Sequence, residues 1–190
     1  GFGINSEFIP MQMIDFMKET KIGEAGEKPF NHFGMGGLLI WSFPNSKNFI
    51  DSRNLNDNIF FEYNSILEAQ SGFEKKLNDY GIDYITFLDP DLVRRPGVMK
   101  KTIIPYLVSK SDEWKLVFWD DKSFLFVRNI PKFKEVIDKY EFKVINPYNI
   151  VFQPQAIESG FRNNLEQFKK ELNRQRTLEP NGLFINSVLS

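Results

Sequence analysis

The sequence contains no cysteine, and its 190 residues include a single histidine, His32. The lack of cysteine excludes disulfides, thiolate nucleophiles and the zinc or iron–sulfur sites that cysteine builds. One histidine cannot supply the paired imidazoles of an HExxH metal motif. Carboxylate-only sites for Mg²⁺ or Ca²⁺ stay open, because oxygen ligands suffice for these hard cations.

An excess of one charge is also lacking, as are long apolar runs. The chain has 24 basic and 25 acidic residues, so it carries no electrostatic footprint for nucleic acid. No apolar run approaches the roughly 18 residues of a membrane-spanning helix, and no signal peptide is recognisable. We therefore expect a soluble segment, and the start at Gly1 rather than Met favours an origin within a longer protein.

Aromatic residues, by contrast, are abundant. Twenty Phe, six Tyr and three Trp provide large apolar rings for an interior. A chain of this length can bury a sizeable core without disulfides or metals. The composition is therefore typical of an ordinary globular domain with room for a small addition.

The hydrophobic pattern predicts an α/β fold with helices on both faces of a mostly parallel, open sheet of about five short strands. Strands are expected at residues 29–33, 48–51, 83–89, 114–119 and 123–127. The last two lie close enough to form an antiparallel hairpin at the sheet edge. A long helix over 59–80 would connect parallel strands, whereas 36–43 suits either a short helix or another extended piece.

The pattern changes towards the carboxyl end of the chain. Residues 1–147 are predicted to form the α/β domain, and 148–190 a helical appendage. An amphipathic helix over 155–177 presents one apolar stripe, and Pro180 with Asn181 stands where a helical hairpin would turn. This stripe predicts a packing face, against the domain, a further helical repeat or another protein.

The glycine cluster GMGG at 34–37 invites a nucleotide- or sugar-phosphate-binding interpretation. The dinucleotide fingerprint needs GxGxxG before a helix, with an acidic residue some twenty positions on. Leu39 stands at the third glycine position, so the phosphate loop is incomplete, although Asp51 lies at a suggestive distance. The favoured interpretation is that Gly36 and Gly37 allow a tight turn and close backbone packing.

Acidic residues follow two of the predicted strands. Asp51 and Asp89 would lie at the carboxyl edge of the sheet, where open α/β sheets bind ligands. With Arg53 they suggest an alternative function, a small Mg-dependent enzyme. A structural pair between Asp51 and Arg53 is favoured, and the acidic turn at 120–121 is expected to be solvated.

His32 has no recognisable nucleophile partner, so a hydrogen-bonded, partly buried histidine is the favoured interpretation over a general base. We assign no catalytic residue, no metal ligand and no cofactor. The candidate binding residues are Asn31, His32, Gly36, Gly37, Asp51, Arg53 and Asp89.

Four stretches together resemble a known family. They are FNHFGMGGLLIW (30–41), NFIDSR (48–53), YGIDYITFLD (80–89) and WKLVFWDDKSFLFVRN (114–129). Over about residues 10–147 they are similar to the soluble domain that follows the membrane helices in bacterial multi-pass proteins. Those proteins are related to GT-C glycosyltransferases of the oligosaccharyl- and mannosyltransferase type. The corresponding residues here are Asn31, Gly36, Gly37, Leu39, Trp41, Asp51, Arg53, Asp83, Trp114, Asp120 and Arg128. Met35 and Ser52 depart from the pattern, standing where the family has an aromatic residue and a glycine.

The resemblance implies an extracytoplasmic domain of a larger bacterial membrane protein. In such enzymes the catalytic acids lie in the membrane part, so this domain would be non-catalytic. Its partners would be the membrane part of the same polypeptide and, through the C-terminal helices, other proteins. The LEPNG stretch (178–182) after an amphipathic helix resembles one tetratricopeptide unit.

Overall fold

A computed structural model of the chain describes residues 9–24, 27–53 and 56–188. These residues form an α/β fold around one open, mixed sheet of four strands. The strands are β1 (Pro29–Asn31), β2 (Tyr84–Leu88), β3 (Trp114–Trp119) and β4 (Ser123–Arg128), in the order β1-β2-β4-β3. Within the described ranges only β1 and β2 are parallel, while β4 is antiparallel to both of its neighbours. The α/β class is confirmed, but the prediction of about five mostly parallel strands is wrong.

The strand predicted at 48–51 does not form, and a side chain explains why. The Asn31 amide Nδ2 donates to the Ile50 carbonyl at 2.7 Å, and Asn31 Oδ1 accepts from the Phe49 N–H at 2.7 Å. The segment therefore lies beside the end of β1, but it is hydrogen-bonded to a side chain rather than to a strand. One amide supplies both the donor and the acceptor that a backbone neighbour would provide.

Helices cover both faces of the sheet, and none of the described ones is long and apolar enough to cross a membrane. They are α1 (Met11–Thr20), α2 (Gly36–Ser42), α3 (Asp57–Leu67), α4 (Phe73–Asp79), α5 (Ile104–Ser109), α6 (Lys134–Tyr140), α7 (Pro147–Phe152), α8 (Pro154–Asn163), α9 (Leu165–Leu178) and α10 (Leu183–Ser187). Short 3₁₀ turns occupy Phe33–Met35, Pro96–Lys101 and Pro131–Phe133.

Both long predicted helices are interrupted. The helix expected over 59–80 divides into α3 and α4, because Ala69 and Gly72 adopt left-handed backbone angles with φ of 50° and 84°. The helix expected over 155–177 divides at Asn164, whose side chain accepts from the Gln167 N–H and so caps α9. The apolar spacing continues across each break, which is why periodicity alone predicted single helices.

Two hydrophobic clusters lie on opposite faces of the sheet. Alternate residues of β2 and β4 point to opposite sides, so Phe87 and Phe124 join one cluster and Leu88 and Leu125 the other. Helices α3, α4 and α5 cover the first face, and α1 and α6 cover the second. A sheet buried on both faces explains why its strands read as nearly continuous apolar runs.

The C-terminal helices are fastened to the sheet by polar contacts. The Glu171 carboxylate accepts from the backbone N–H groups of Lys143, Val144 and Ile145 at 2.7, 3.1 and 2.8 Å. Gln175 Nε2 donates to the Trp119 carbonyl at 3.0 Å, and Phe168 and Phe184 share the first cluster. The division at residue 147 stays a prediction, and the segment after it shares the core of the segment before it.

Candidate functional site

The predicted site centres on Asn31, at the end of β1. Its side chain is fully buried, and Nδ2 also reaches the His32 carbonyl at 3.1 Å. A buried amide needs hydrogen-bond partners, and here the backbone of residues 49 and 50 supplies most of them. Asn31 therefore holds the loop of residues 48–51 against β1, an arrangement that we call the Asn31 clamp.

Gly36 completes the Asn31 clamp from the other side. A Cβ at this position would lie 2.4 Å from both the Asp51 Cβ and the Ile50 carbonyl oxygen, so only glycine fits. The Gly36 N–H already donates to the Phe33 carbonyl. Gly37, in contrast, is exposed and has open space around its Cα. The geometry at Gly36 is the close backbone packing that the sequence predicts for this glycine.

Asp51 and Arg53 form a bidentate pair. Arg53 Nε lies 2.9 Å from Asp51 Oδ1 and Arg53 Nη2 lies 3.3 Å from Oδ2, while the Arg53 N–H also donates to Oδ1 at 2.8 Å. Asn48 Nδ2 donates to Oδ2 at 3.2 Å. The hydrogen bonds from Arg53 hold the pKa of the Asp51 carboxyl far below its usual value. Both oxygens of Asp51 thus have internal partners.

His32 extends the parallel ladder, because its N–H donates to the Thr86 carbonyl at 3.1 Å. Its Nδ1 accepts from the Gly34 N–H at 3.2 Å, which places the proton of the neutral ring on Nε2. Burial lowers the pKa of His32, and the nearby charge of Asp89 only partly opposes this. The ring is therefore neutral at pH 7 and partly buried.

Asp89 begins a local ion-pair network after β2. Its Oδ1 accepts from the Asp91 N–H at 2.9 Å and lies 3.6 Å from Arg95 Nη2. Asp91 pairs in turn with Arg94 and Arg95. Across the described part of the chain, no group of three or more histidine or acidic residues is placed to hold a metal ion. Asp51 and Asp89 thus each have their own set of partners.

The acidic turn between β3 and β4 is not solvated as predicted. Asp120 is only 1% exposed, and its Oδ1 accepts from the Lys122 N–H and the Ser123 hydroxyl. The Asp121 carboxylate accepts from the N–H groups of Leu183 and Phe184 at the start of α10. The turn is shielded from solvent because the C-terminal helices fold over it, and the N-terminus of a helix attracts carboxylates.

Glu179 joins Asp120 and Asp121, and together they form what we call the acidic turn cluster. Glu179 Oε2 accepts from the Asp121 N–H at 3.1 Å. Burial, with the charges of Asp120 and Asp121, raises the pKa of Glu179 to about 8, and burial also raises the pKa of Asp120. The 58-residue separation between Asp121 and Glu179 left no local pattern from which this cluster could be predicted.

Other residues of the family resemblance also stabilise the fold. Arg128 Nε donates to the Ile82 carbonyl at 2.8 Å, Nη1 bonds the Glu113 carboxylate at 2.9 Å, and the guanidinium lies 4.6 Å from the Trp114 ring centroid. Asp83 Oδ2 accepts from the Lys28 N–H at 3.0 Å. Arg128 thus ties the open end of the hairpin to the residues before β2, and Asp83 ties those residues to the segment before β1.

Comparisons of the chain with models of known protein families, with curated proteins and with solved structures return no match. The family resemblance and the tetratricopeptide likeness therefore stay predictions.

Proposed function

We propose that this chain is a non-catalytic accessory or interaction domain of a larger, membrane glycosyltransferase-like protein of bacteria, lying on the extracytoplasmic face. The main support is that three polar side chains of the resemblance motif make hydrogen bonds inside the fold. Asn31 holds a loop, Asp51 binds Arg53, and Arg128 braces the hairpin. A catalytic acid, base or metal ligand would need lone pairs that face a substrate.

Exposed aromatic side chains near the Asn31 clamp support a docking role. Trp41 on α2 is 66% exposed and Phe61 on α3 is 70% exposed, which is unusual for rings of this size. Phe60 lies 6.1 Å, centroid to centroid, from Phe33 in the turn that leads into α2. Aromatic rings are enriched in protein interfaces. The occupant that we propose is the membrane part of the same polypeptide.

The C-terminal helices offer further apolar side chains to a protein partner. Phe161 on α8 and Leu183 on α10 are exposed, and Phe161 packs edge-on against Phe168 at 5.3 Å. Only part of the predicted stripe is therefore buried against the sheet. This supports a second contact region for another protein.

The two alternative functions have weaker support. A nucleotide or sugar-phosphate module would need the Gly36 N–H, which already donates to Phe33. A Mg-dependent enzyme would need Asp51 and Asp89 to share a cation, but Arg53 and Asn48 bind the first and Arg95 lies beside the second.

Site-specific cross-linking in the full-length protein tests the accessory function. A photo-reactive residue at Phe61 should cross-link to the membrane part, whereas one at the exposed Glu166 on α9 should not. Equal cross-linking at both positions would argue against the proposed docking surface. A full-length sequence without hydrophobic membrane spans would remove the proposed function altogether.

A further inference from the structure

A groove of about 550 Å³ lies between α1, β3, α6 and α9, away from the Asn31 clamp. Its apolar walls include Phe16, Phe118, Tyr140, Phe142 and Leu178. Phe16 packs against Phe118 at 5.3 Å and edge-on against Tyr140 at 5.0 Å, so the rings brace one another. Ligand pockets in proteins commonly span about 300–1,000 Å³ and have mostly apolar walls. This groove has the size and the lining of a small-molecule site.

One cation, Arg174, lies in the wall of this groove. Its guanidinium carbon lies 3.6 Å from the Phe142 ring centroid and 5.8 Å from that of Tyr140, so it is stacked on aromatic faces. Nη2 donates to the Tyr140 carbonyl at 2.6 Å. This is the one hydrogen bond that the described residues accept from Arg174, although a guanidinium has five N–H donors. The Arg174 side chain is therefore held in place by the Tyr140 carbonyl and the Phe142 ring. Most of its N–H donors have no partner among the described residues.

The acidic groups around Arg174 are engaged elsewhere. Glu171, one turn earlier on α9, accepts three backbone N–H bonds and one from Gln167, and it forms no ion pair with Arg174. Glu19 in the groove wall accepts from the Tyr140 hydroxyl at 3.0 Å. Burial lowers the pKa of Arg174 to about 10, so the guanidinium stays charged at neutral pH. No described carboxylate lies within ion-pair distance of it.

We propose that this groove binds a small organic monocarboxylate with an apolar body, of the fatty-acid or arylalkanoate class. The carboxylate would accept the unused guanidinium N–H groups in the planar, two-pronged arrangement that arginine favours. The apolar body would lie on Phe16, Phe118 and Leu178, away from water. A second anionic group on the ligand would meet the carboxylate of Glu19, so dicarboxylates bind less well.

Titration of the isotope-labelled chain with octanoate, followed by NMR, tests this site. Octanoate should shift the amide signals of groove residues in a saturable way and should raise the melting temperature. Octan-1-ol and octylamine share its apolar body and serve as matched probes without the negative charge. We expect both to bind at least about tenfold more weakly, because the charge-assisted hydrogen bonds are lost. Equal binding of octanoate and octan-1-ol would overturn the proposal.

Three variants test whether octanoate binds in this groove through Arg174. Arg174→Gln keeps a donor for the Tyr140 carbonyl but loses the charge, so octanoate affinity should fall about tenfold or more. Arg176→Gln, on the same helix but outside this groove, should leave the affinity unchanged. Thr177→Trp changes an exposed residue of the groove wall and should block the site even if Arg174→Gln fails to fold. Octanoate binding that survives Thr177→Trp would show that the ligand binds elsewhere.

Discussion

The Asn31 clamp and the acidic turn cluster shift the pKa values of their carboxyl groups in opposite directions. In the first, Arg53 and Asn48 donate hydrogen bonds to Asp51 and hold its pKa down. In the second, Asp120 and Glu179 are buried close to one another and their pKa values rise. Hydrogen bonds to the charged form stabilise it, whereas burial and like charges favour the neutral form. The first region thus stabilises an ionised acid, whereas in the second Glu179 is mostly protonated at neutral pH, which lowers the free energy of unfolding relative to an exposed glutamate.

The two regions also differ in how tightly the backbone is packed. Around the Asn31 clamp, three chain segments meet with no room for a Cβ at Gly36. Around the acidic turn cluster, a hairpin meets the C-terminal helices through side-chain carboxylates and backbone N–H groups. Substitutions should therefore act through sterics and lost hydrogen bonds in the first region, and through protonation in the second.

The largest effect is expected from Gly36→Ala. The added methyl group would lie 2.4 Å from the Ile50 carbonyl oxygen, and backbone on both sides resists movement. We expect the free energy of unfolding to fall by about 3 kcal/mol or more, measured by urea denaturation. Gly37→Ala is the matched control: the methyl group meets nothing, and alanine should stabilise α2 by about 0.5 kcal/mol. Similar losses in both variants would contradict the packing described for Gly36.

The next largest effect is expected from Asn31→Ala. It removes the partner of the Phe49 N–H and the shorter of the two hydrogen bonds to the Ile50 carbonyl, and a polar group left unpaired in the interior costs about 1–3 kcal/mol. Asn48→Ala, in the same loop, removes two longer bonds and should cost less. Urea denaturation of both variants measures the difference, and an equal cost would show that the Asn31 amide has no special role.

Only some features of these two regions could be predicted from the sequence. The β3–β4 hairpin and the pairing of Asp51 with Arg53 were predicted, because their residues lie close together in the chain. The Asn31 clamp was missed, since a side chain that replaces a strand neighbour leaves no periodic pattern. The acidic turn cluster was missed for a related reason: Asp121 contacts residues about 60 positions away. Such contacts follow from tertiary packing, which neither spacing nor composition encodes.

The groove around Arg174 was also beyond prediction from the sequence. Its walls come from α1, β3, α6 and α9, and no two of these elements are adjacent in the chain. The apolar stripe of the helix predicted over 155–177 indicates a packing face. In the fold, Arg174 and Leu178 near the end of α9 line an open groove rather than a closed contact. A single arginine in an amphipathic helix is typical of a solvated surface, so its stacking on Phe142 becomes visible only in the fold.

A pH-dependent effect is expected from Glu179→Gln. The pKa of Glu179 is raised in the folded state, so folding favours its protonated form, and stability is lost as pH rises from about 4.5 to about 8. Glutamine cannot ionise, so the variant should be more stable than the original chain at pH 8 and nearly equal at pH 4.5. Denaturant unfolding at both pH values measures this, with the exposed Glu166→Gln as control. A variant that is less stable than the original chain at pH 8 would contradict the raised pKa of Glu179.

The smallest effect, with the opposite pH dependence, is expected from Asp51→Asn. The pKa of Asp51 is lowered in the folded state, so its stabilising contribution is present above the unfolded pKa of about 3.8 and is lost as pH falls below it. The loss in the variant should therefore be seen at neutral pH and should shrink in acid. Arg53 is largely exposed, so solvent screens the pair and the loss should stay below that of Asn31→Ala. Urea denaturation at pH 7 and pH 3 tests this, and a loss that grows in acid would contradict it. Because both variants replace a carboxyl group by an amide that cannot ionise, opposite signs of the stability change at neutral pH would identify the surroundings of each carboxyl as the cause.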